Sequence, residues 1–221
     1  MNPVFKSENE ELRSFDFEIR ANEDEKNGTF VEGVPIVFEK KCDMCGMYEE
    51  YISKEALSKC DMKDVRFLVN HNTEMTPLAR SRNNNENSTM QMKVEEDGMH
   101  IRVNLDTENN SDAKNLYSAI KRGDVSGMSF MFTVNEDKWE NLDTDYPKRT
   151  ITDISKIYEV SAVTFPAYED TSITARAANA LENAKATLES EKAKIKAEET
   201  RKIQAECESR ERELRLMELS K

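Results

Sequence analysis

The chain of 221 residues holds only two histidines, so the search for a general base is short. His100 lies in Met99-His100-Ile101-Arg102-Val103-Asn104-Leu105, where alternation puts Met99, Ile101, Val103 and Leu105 on a core face and His100 on the wet face. His71 stands just past a short apolar run, residues 65–69, where a rigid strand presents a side chain at the rim of a sheet. That position suits a base, and it also suits an ordinary structural histidine. Ser129 sits in Gly123-Asp124-Val125-Ser126-Gly127-Met128-Ser129-Phe130-Met131-Phe132. If Phe130, Phe132 and Val134 face the core, Ser129 points the other way. Beside Gly127 it would be exposed with backbone amides nearby, as a nucleophile with an oxyanion hole requires, although serine near glycine is also common in plain strands. Glu159 falls in Ile157-Tyr158-Glu159-Val160-Ser161-Ala162-Val163-Thr164-Phe165-Pro166, which is otherwise apolar on both faces. A buried carboxylate is costly unless paired. Holding a histidine in the right tautomer is one such pairing, and a salt bridge to Arg or Lys is another; the pattern leaves both open. Cys42-Asp43-Met44-Cys45 with Cys60 is a single CxxC without a second pair, so it reads as a loop with free thiols; neither metal nor cofactor is expected.

The elements that must carry these residues are mostly strands. Residues 13–21 alternate around Phe15, Phe17 and Ile19, and residues 29–38 carry Phe30, Val31, Val34, Ile36 and Val37, with a polar turn between them as in a hairpin. Residues 90–94 and 99–105 flank Glu95-Glu96-Asp97-Gly98, a second hairpin signal. Asn110-Ser111-Asp112 caps a helix that runs through Leu116, Tyr117 and Ile120 to a stop at Gly123. Residues 125–134 and 150–165 complete the strands. The expectation is an α+β domain built on a closed or strongly curved, mostly antiparallel, barrel-like sheet with a few surrounding helices. From about residue 177 the chain has no Gly or Pro and is rich in Ala, Glu, Lys and Arg, which reads as a charged helical tail. Leu181, Leu188 and Ile195 recur every seven residues, but Ala184, Glu191 and Glu198 make a poor second seam position, so a weak coiled coil or a lone helix is expected. The domains are therefore read as 1–176 and 177–221.

Composition bounds the function. The chain is 34% charged with a net charge of −12, which repels nucleic acid and anionic membranes. No run approaches the roughly 20 apolar residues that span a bilayer, and the N-terminus lacks the apolar stretch of a signal peptide, so a cytosolic setting is expected. Four cysteines in a reducing compartment do not suggest a disulfide framework.

Taken together, Val31-Glu32-Gly33-Val34-Pro35-Ile36-Val37-Phe38, Asn70-His71-Asn72 with Pro77-Leu78-Ala79-Arg80, Arg122-Gly123-Asp124-Val125-Ser126-Gly127-Met128-Ser129-Phe130 and Tyr158-Glu159-Val160-Ser161-Ala162-Val163-Thr164-Phe165-Pro166-Ala167-Tyr168 resemble the phage prohead protease family, whose fold resembles herpesvirus assemblin. The likeness covers most of residues 13–176. It implies Ser129 as nucleophile, His71 as general base and Glu159 as the third, acidic member. The implied substrates are the scaffold portion of the major capsid protein and the protease itself, within an assembling prohead in the host cytoplasm. Dimers are plausible by analogy with the herpesvirus enzymes. Met131 stands where the family usually has glycine, and residues 40–51 look like a local elaboration. Should Ser129 not be the nucleophile, Ser161 is the next serine to consider.

Two other classes compete. A non-enzymatic scaffold or assembly protein would put the function in the tail, and a protease fused to a scaffold segment would combine both. A zinc-stabilised module would centre on Cys42, Cys45 and Cys60.

Overall fold

The computed structural model describes residues 10–15, 19–24, 28–165 and 171–219. Phe17, Pro166, Ala167 and Tyr168, quoted above, lie outside them. The chain divides into two compact units, Met1–Ala177 and Ala178–Lys221.

The first unit is organised by two long strands, β10 (Gly127–Glu140) and β11 (Lys148–Val163), which pair antiparallel. On one side β1 (Glu10–Phe15) pairs antiparallel with β10. On the other, β5 (Glu49–Ile52) and β6 (Asp64–Val69) run parallel to β11 at its two ends. The short β4 (Cys42–Asp43) and β7 (Ala79–Arg82) complete a seven-stranded mixed sheet. A second, four-stranded antiparallel sheet has the order β2-β3-β9-β8, from Arg20–Asp24, Gly28–Val37, Gly98–Asn104 and Met90–Val94.

The expected closed or strongly curved, mostly antiparallel barrel is not formed. The strands divide between two sheets, one of them mixed, and only two helices are present among the described residues. The physical reason lies partly in residues 13–21, which alternate like one strand but belong to two: β1 pairs with β10 in one sheet and β2 with β3 in the other. Alternation specifies which face is apolar; it carries no information about the partner on either edge.

A single apolar cluster contains Val31, Ile36, Met99, Ile101 and Val103 of the smaller sheet. It also holds Val65, Phe67, Phe130, Phe132, Ile154, Ile157 and Val160 of the larger one. Helix α1 (Ser111–Arg122) adds Ala113, Leu116 and Ile120, spaced to share one face. Its ends follow the local signals. The Asn110 side chain accepts from the backbone N–H groups of Asp112 and Ala113, and Gly123 closes the helix at φ 81°.

Gly98 is required for a different reason. The β3–β9 register slips between Gly33 and Ile36, around Pro35, which has no N–H to give to the ladder. The slip brings the Ile36 carbonyl to where a Cβ on Gly98 would lie only 2.0 Å from the oxygen. Gly98→Ala is expected to cost about 1–3 kcal/mol through the forced backbone shift, read as a lower urea midpoint at unchanged m-value.

One buried feature is ionic. Arg13 on β1 is 1% exposed and grips both oxygens of Glu50 on β5, which is also 1% exposed. Arg149 on β11 donates to Glu50 (2.9 Å), to both oxygens of Glu11 (2.8 and 2.9 Å) and to Asp137 (2.7 Å). Four strands are thereby tied together. Burial alone would raise the Glu11 pKa, but the neighbouring Arg13 and Arg149 guanidiniums overcome it and lower it from 4.5 to about 2. A folded pKa below the unfolded one contributes stability that is complete above pH 4.5 and lost as the pH falls towards 2. Acid titration of the urea midpoint should show this loss, and Glu11→Gln should flatten it.

The second unit begins at Ala178 within helix α2 (Thr171–Leu219), which has 49 residues and is on the order of 70 Å long. Ile195 and Ile203 are mostly exposed, and ion pairs such as Lys194–Glu191 and Lys202–Glu198 run along its surface. Among the described residues no helix is long and apolar enough to cross a membrane.

Candidate active site

His71 is placed by a tight turn at the end of β6. Asn70 and His71 both have left-handed backbones (φ 49° and 54°), and Asn72 N–H returns to the Val69 carbonyl at 3.0 Å, the geometry of a type I′ turn. Asn and His tolerate this region better than most residues, which explains the local choice of Asn-His-Asn. Asn70 fastens the turn twice, to the end of β11 and to the residue after it. Asn70 N–H donates to the Ala162 carbonyl (2.9 Å), and Thr164 N–H donates to Asn70 Oδ1 (3.0 Å).

Glu159 is carried by β11, and a bulge decides which way it points. Met131 faces Glu159 and Phe132 faces Ile157, so Tyr158 is the extra residue. Ile151, Ile154 and Ile157 below the bulge and Val160 and Ala162 above it all enter the core. Glu159 and Ser161 are turned to the opposite face. Glu159 is 2% exposed, and its Oε1 meets His71 Nδ1 at 2.6 Å. Of the two pairings left open by the pattern, the histidine pairing is the one formed. A carboxylate only accepts, so Nδ1 carries a proton, and in the neutral ring the lone pair is then on Nε2.

Ser129 lies on β10 directly opposite Ser161, with Ser14 of β1 on its other side. Ser129 on β10, Glu159 on β11 and His71 in the turn after β6 thus lie at one end of the larger sheet, and the bond among them is that between His71 and Glu159. Ser129 is nevertheless not exposed: its relative exposure is 0%, and its Oγ donates to the Arg13 carbonyl at 2.8 Å. Leu12, Met131, Leu68 and Val163, which share this face by register, are buried too. Alternation assigned this face to solvent because the period shows only that a face lacks the core's apolar pattern, not whether it is covered, and in the folded chain it is buried. Nor is Ser129 beside free amides: it stands inside a three-strand ladder, with β1 and β11 pairing its backbone on both sides.

Ser161 is the residue that spacing undervalued. Its Oγ donates to Glu159 Oε2 (2.5 Å) and accepts the N–H of His71 (3.1 Å). The available signal was its parity with Glu159 in an otherwise apolar strand. Arg13, Glu50 and Arg149 were also missed, since nothing local marks charges 37 and 99 residues apart as partners.

The remaining candidates stand apart. His100 is partly exposed and bonds Asp97 at 2.8 Å, with Glu95 nearby, in an exposed surface cluster. Burial pushes the Cys42 thiol up to about 11 and the Cys60 thiol up to about 12, away from the reactive thiolate form.

Comparison with known proteins bears on what this arrangement is. A protein named prohead protease, from Enterobacteria phage HK97, is 31% identical over 163 residues, 73% of this chain and 66% of that protein. The chain therefore spans just under two thirds of that relative's length. Among solved structures, the bacteriophage T4 capsid assembly protease gp21 is 15% identical, covering 71% of this chain and 99% of that one, with a TM-score of 0.38, too low to establish a shared fold. The family described as Caudovirus prohead serine protease matches residues 15–186, a span that takes in β10, β11, the His71 turn and the start of α2. With that match over most of the chain, this protein belongs to the Caudovirus prohead serine protease family.

Proposed function

We propose that this chain is a serine endopeptidase of capsid maturation, with Ser129 as nucleophile, His71 as general base and Glu159 as the group that orients and stabilises the imidazolium. The observation that carries the reading is the 2.6 Å bond from His71 Nδ1 to the buried Glu159, on a strand that holds Ser161 directly across from Ser129. The bond fixes the tautomer in which Nε2 is free to take a proton. In the resting form the Ser129 hydroxyl is donated to the Arg13 carbonyl. Attack then begins with rotation of the hydroxyl away from that carbonyl towards Nε2. Ser129 Oγ adds to a peptide carbonyl as His71 takes its proton. The same proton goes to the departing amine, and water releases the acyl-enzyme.

The substrates in this reading are the scaffold portion of the major capsid protein and the protease itself, cut inside the assembling prohead in the host cytoplasm. Helix α2 would be a scaffold-like appendage of a 1–176 protease domain, engaging partner helices in the shell and being removed by self-cleavage. Its exposed Ile195 and Ile203 among paired charges favour that role over burial in a core.

Intact-mass analysis after co-expression with the cognate major capsid protein tests this. Wild type should shorten the capsid protein, and a Ser129→Ala chain should leave it whole. Processing by both chains would remove Ser129 from the mechanism; shells assembled without processing by either would favour a pure scaffold.

A further inference from the structure

We propose that Ser161 is a positioning residue for the general base, a hydroxyl clamp that locks the backbone and the ring of His71 onto Glu159. This inference rests on the reading of His71 as base. Three contacts form a closed ring. Glu159 Oε1 meets the imidazole at 2.6 Å, Ser161 Oγ–H donates to Glu159 Oε2 at 2.5 Å, and His71 N–H donates to Ser161 Oγ at 3.1 Å.

Each contact removes a freedom the base would otherwise have. A carboxylate with one partner swings about its last torsion, which is broad and roughly two-fold. With Oε2 held by Ser161, Oε1 remains aimed at Nδ1. The second contact acts on the main chain. His71 sits at φ 54°, a backbone strained for a non-glycine residue, and its N–H is satisfied by the same hydroxyl that holds its carboxylate partner. One buried atom therefore sets both where the histidine begins and where its ring ends.

The same geometry argues against Ser161 as nucleophile. Its proton is given to a carboxylate and its oxygen already accepts an N–H. The Ser129 proton, opposite, goes to a neutral carbonyl, the weaker hold of the two.

Two measurements on the full chain test the clamp, with Ser161→Ala, Ser161→Thr and Ser129→Ala variants. The first is the low-field Hδ1 resonance of His71 in histidine-labelled protein, where only two histidines contribute. The second is the rate at which a fluorophosphonate probe labels Ser129. Ser161→Ala should broaden or abolish the Hδ1 signal while leaving His100 unchanged, and should slow labelling about 10- to 100-fold. Ser161→Thr, which keeps the hydroxyl, should restore both. If alanine destabilises the fold, Ser161→Cys, close in shape and a weak donor, supplies the same comparison. An Hδ1 signal and a labelling rate like wild type in the alanine or cysteine variant would overturn the proposal. So would a well-folded threonine variant as impaired as alanine, since packing rather than the hydroxyl would then matter. Labelling of Ser129→Ala at the wild-type rate would instead defeat the nucleophile assignment, and the resonance would still decide the clamp.

Discussion

Ser129→Ala is expected to lower turnover by about 10⁶-fold, and Glu159→Gln by about 10⁴-fold, with both variants folded. The two losses differ because the residues act at different removes. In the proposed mechanism, alanine deletes the atom that forms the acyl bond. Glutamine leaves that atom and the base in place but alters the proton on the ring. Its amide can donate to Nδ1 as well as accept from it, so the imidazole is free to carry its proton on Nε2, where it cannot accept one. The uncharged amide also fails to stabilise the imidazolium as it forms. The rate at which shortened capsid protein appears, measured beside far-UV circular dichroism, checks both. Turnover by Glu159→Gln within tenfold of wild type would make Glu159 a structural anchor for the His71 turn and not a member of the catalytic set.

Glu50→Ala is expected to destabilise the protein by about 3–5 kcal/mol, the largest stability loss among those considered. Glu50 is the carboxylate shared by Arg13 and Arg149, all three at 3% exposure or less. Removing it leaves two guanidiniums out of water with Glu11 and Asp137 alone to answer them. Removing a surface partner is a different matter. Lys41, 53% exposed and paired with Glu49, should cost far less than Glu50 when replaced by alanine, because water screens the pair. Urea denaturation of the two variants side by side makes the comparison, and a Glu50→Ala loss below 1 kcal/mol would mean that water reaches the cluster. The effect should extend to the site, because the same Arg13 whose side chain is held by Glu50 presents its carbonyl to Ser129.

Much of the local structure was legible. Asn110 and Gly123 bound α1 as their types dictate, and Glu95-Glu96-Asp97-Gly98 joins β8 to β9 as a hairpin. Both are set within a few residues by side-chain capping and turn chemistry. The candidate site was legible only in pieces. His71, Glu159 and Ser129 could each be named, but the bond between His71 and Glu159 depends on β6 lying parallel to β11, and the place of Ser129 opposite Ser161 depends on β10 lying antiparallel to it. Where several sheet neighbours compete, alternation does not choose among them, and so the expected barrel gave way to two sheets.

By itself the sequence determined the alternation of the longer strands, the ends of α1, the helical tail and the residue types available for acyl chemistry, because those follow from local sterics and hydrogen bonding, whereas the short β4, β5 and β7 carried no such signal. The tertiary structure alone decided three things. The Tyr158 bulge turned Glu159 away from the core and towards His71; strand β1 paired beside Ser129 and gave its hydroxyl the Arg13 carbonyl; and Arg13, Glu50 and Arg149 became one buried ionic cluster. All three arise from pairing between strands distant along the chain. Register, burial of both faces and the compensation of charge removed from water exist only once that pairing is made.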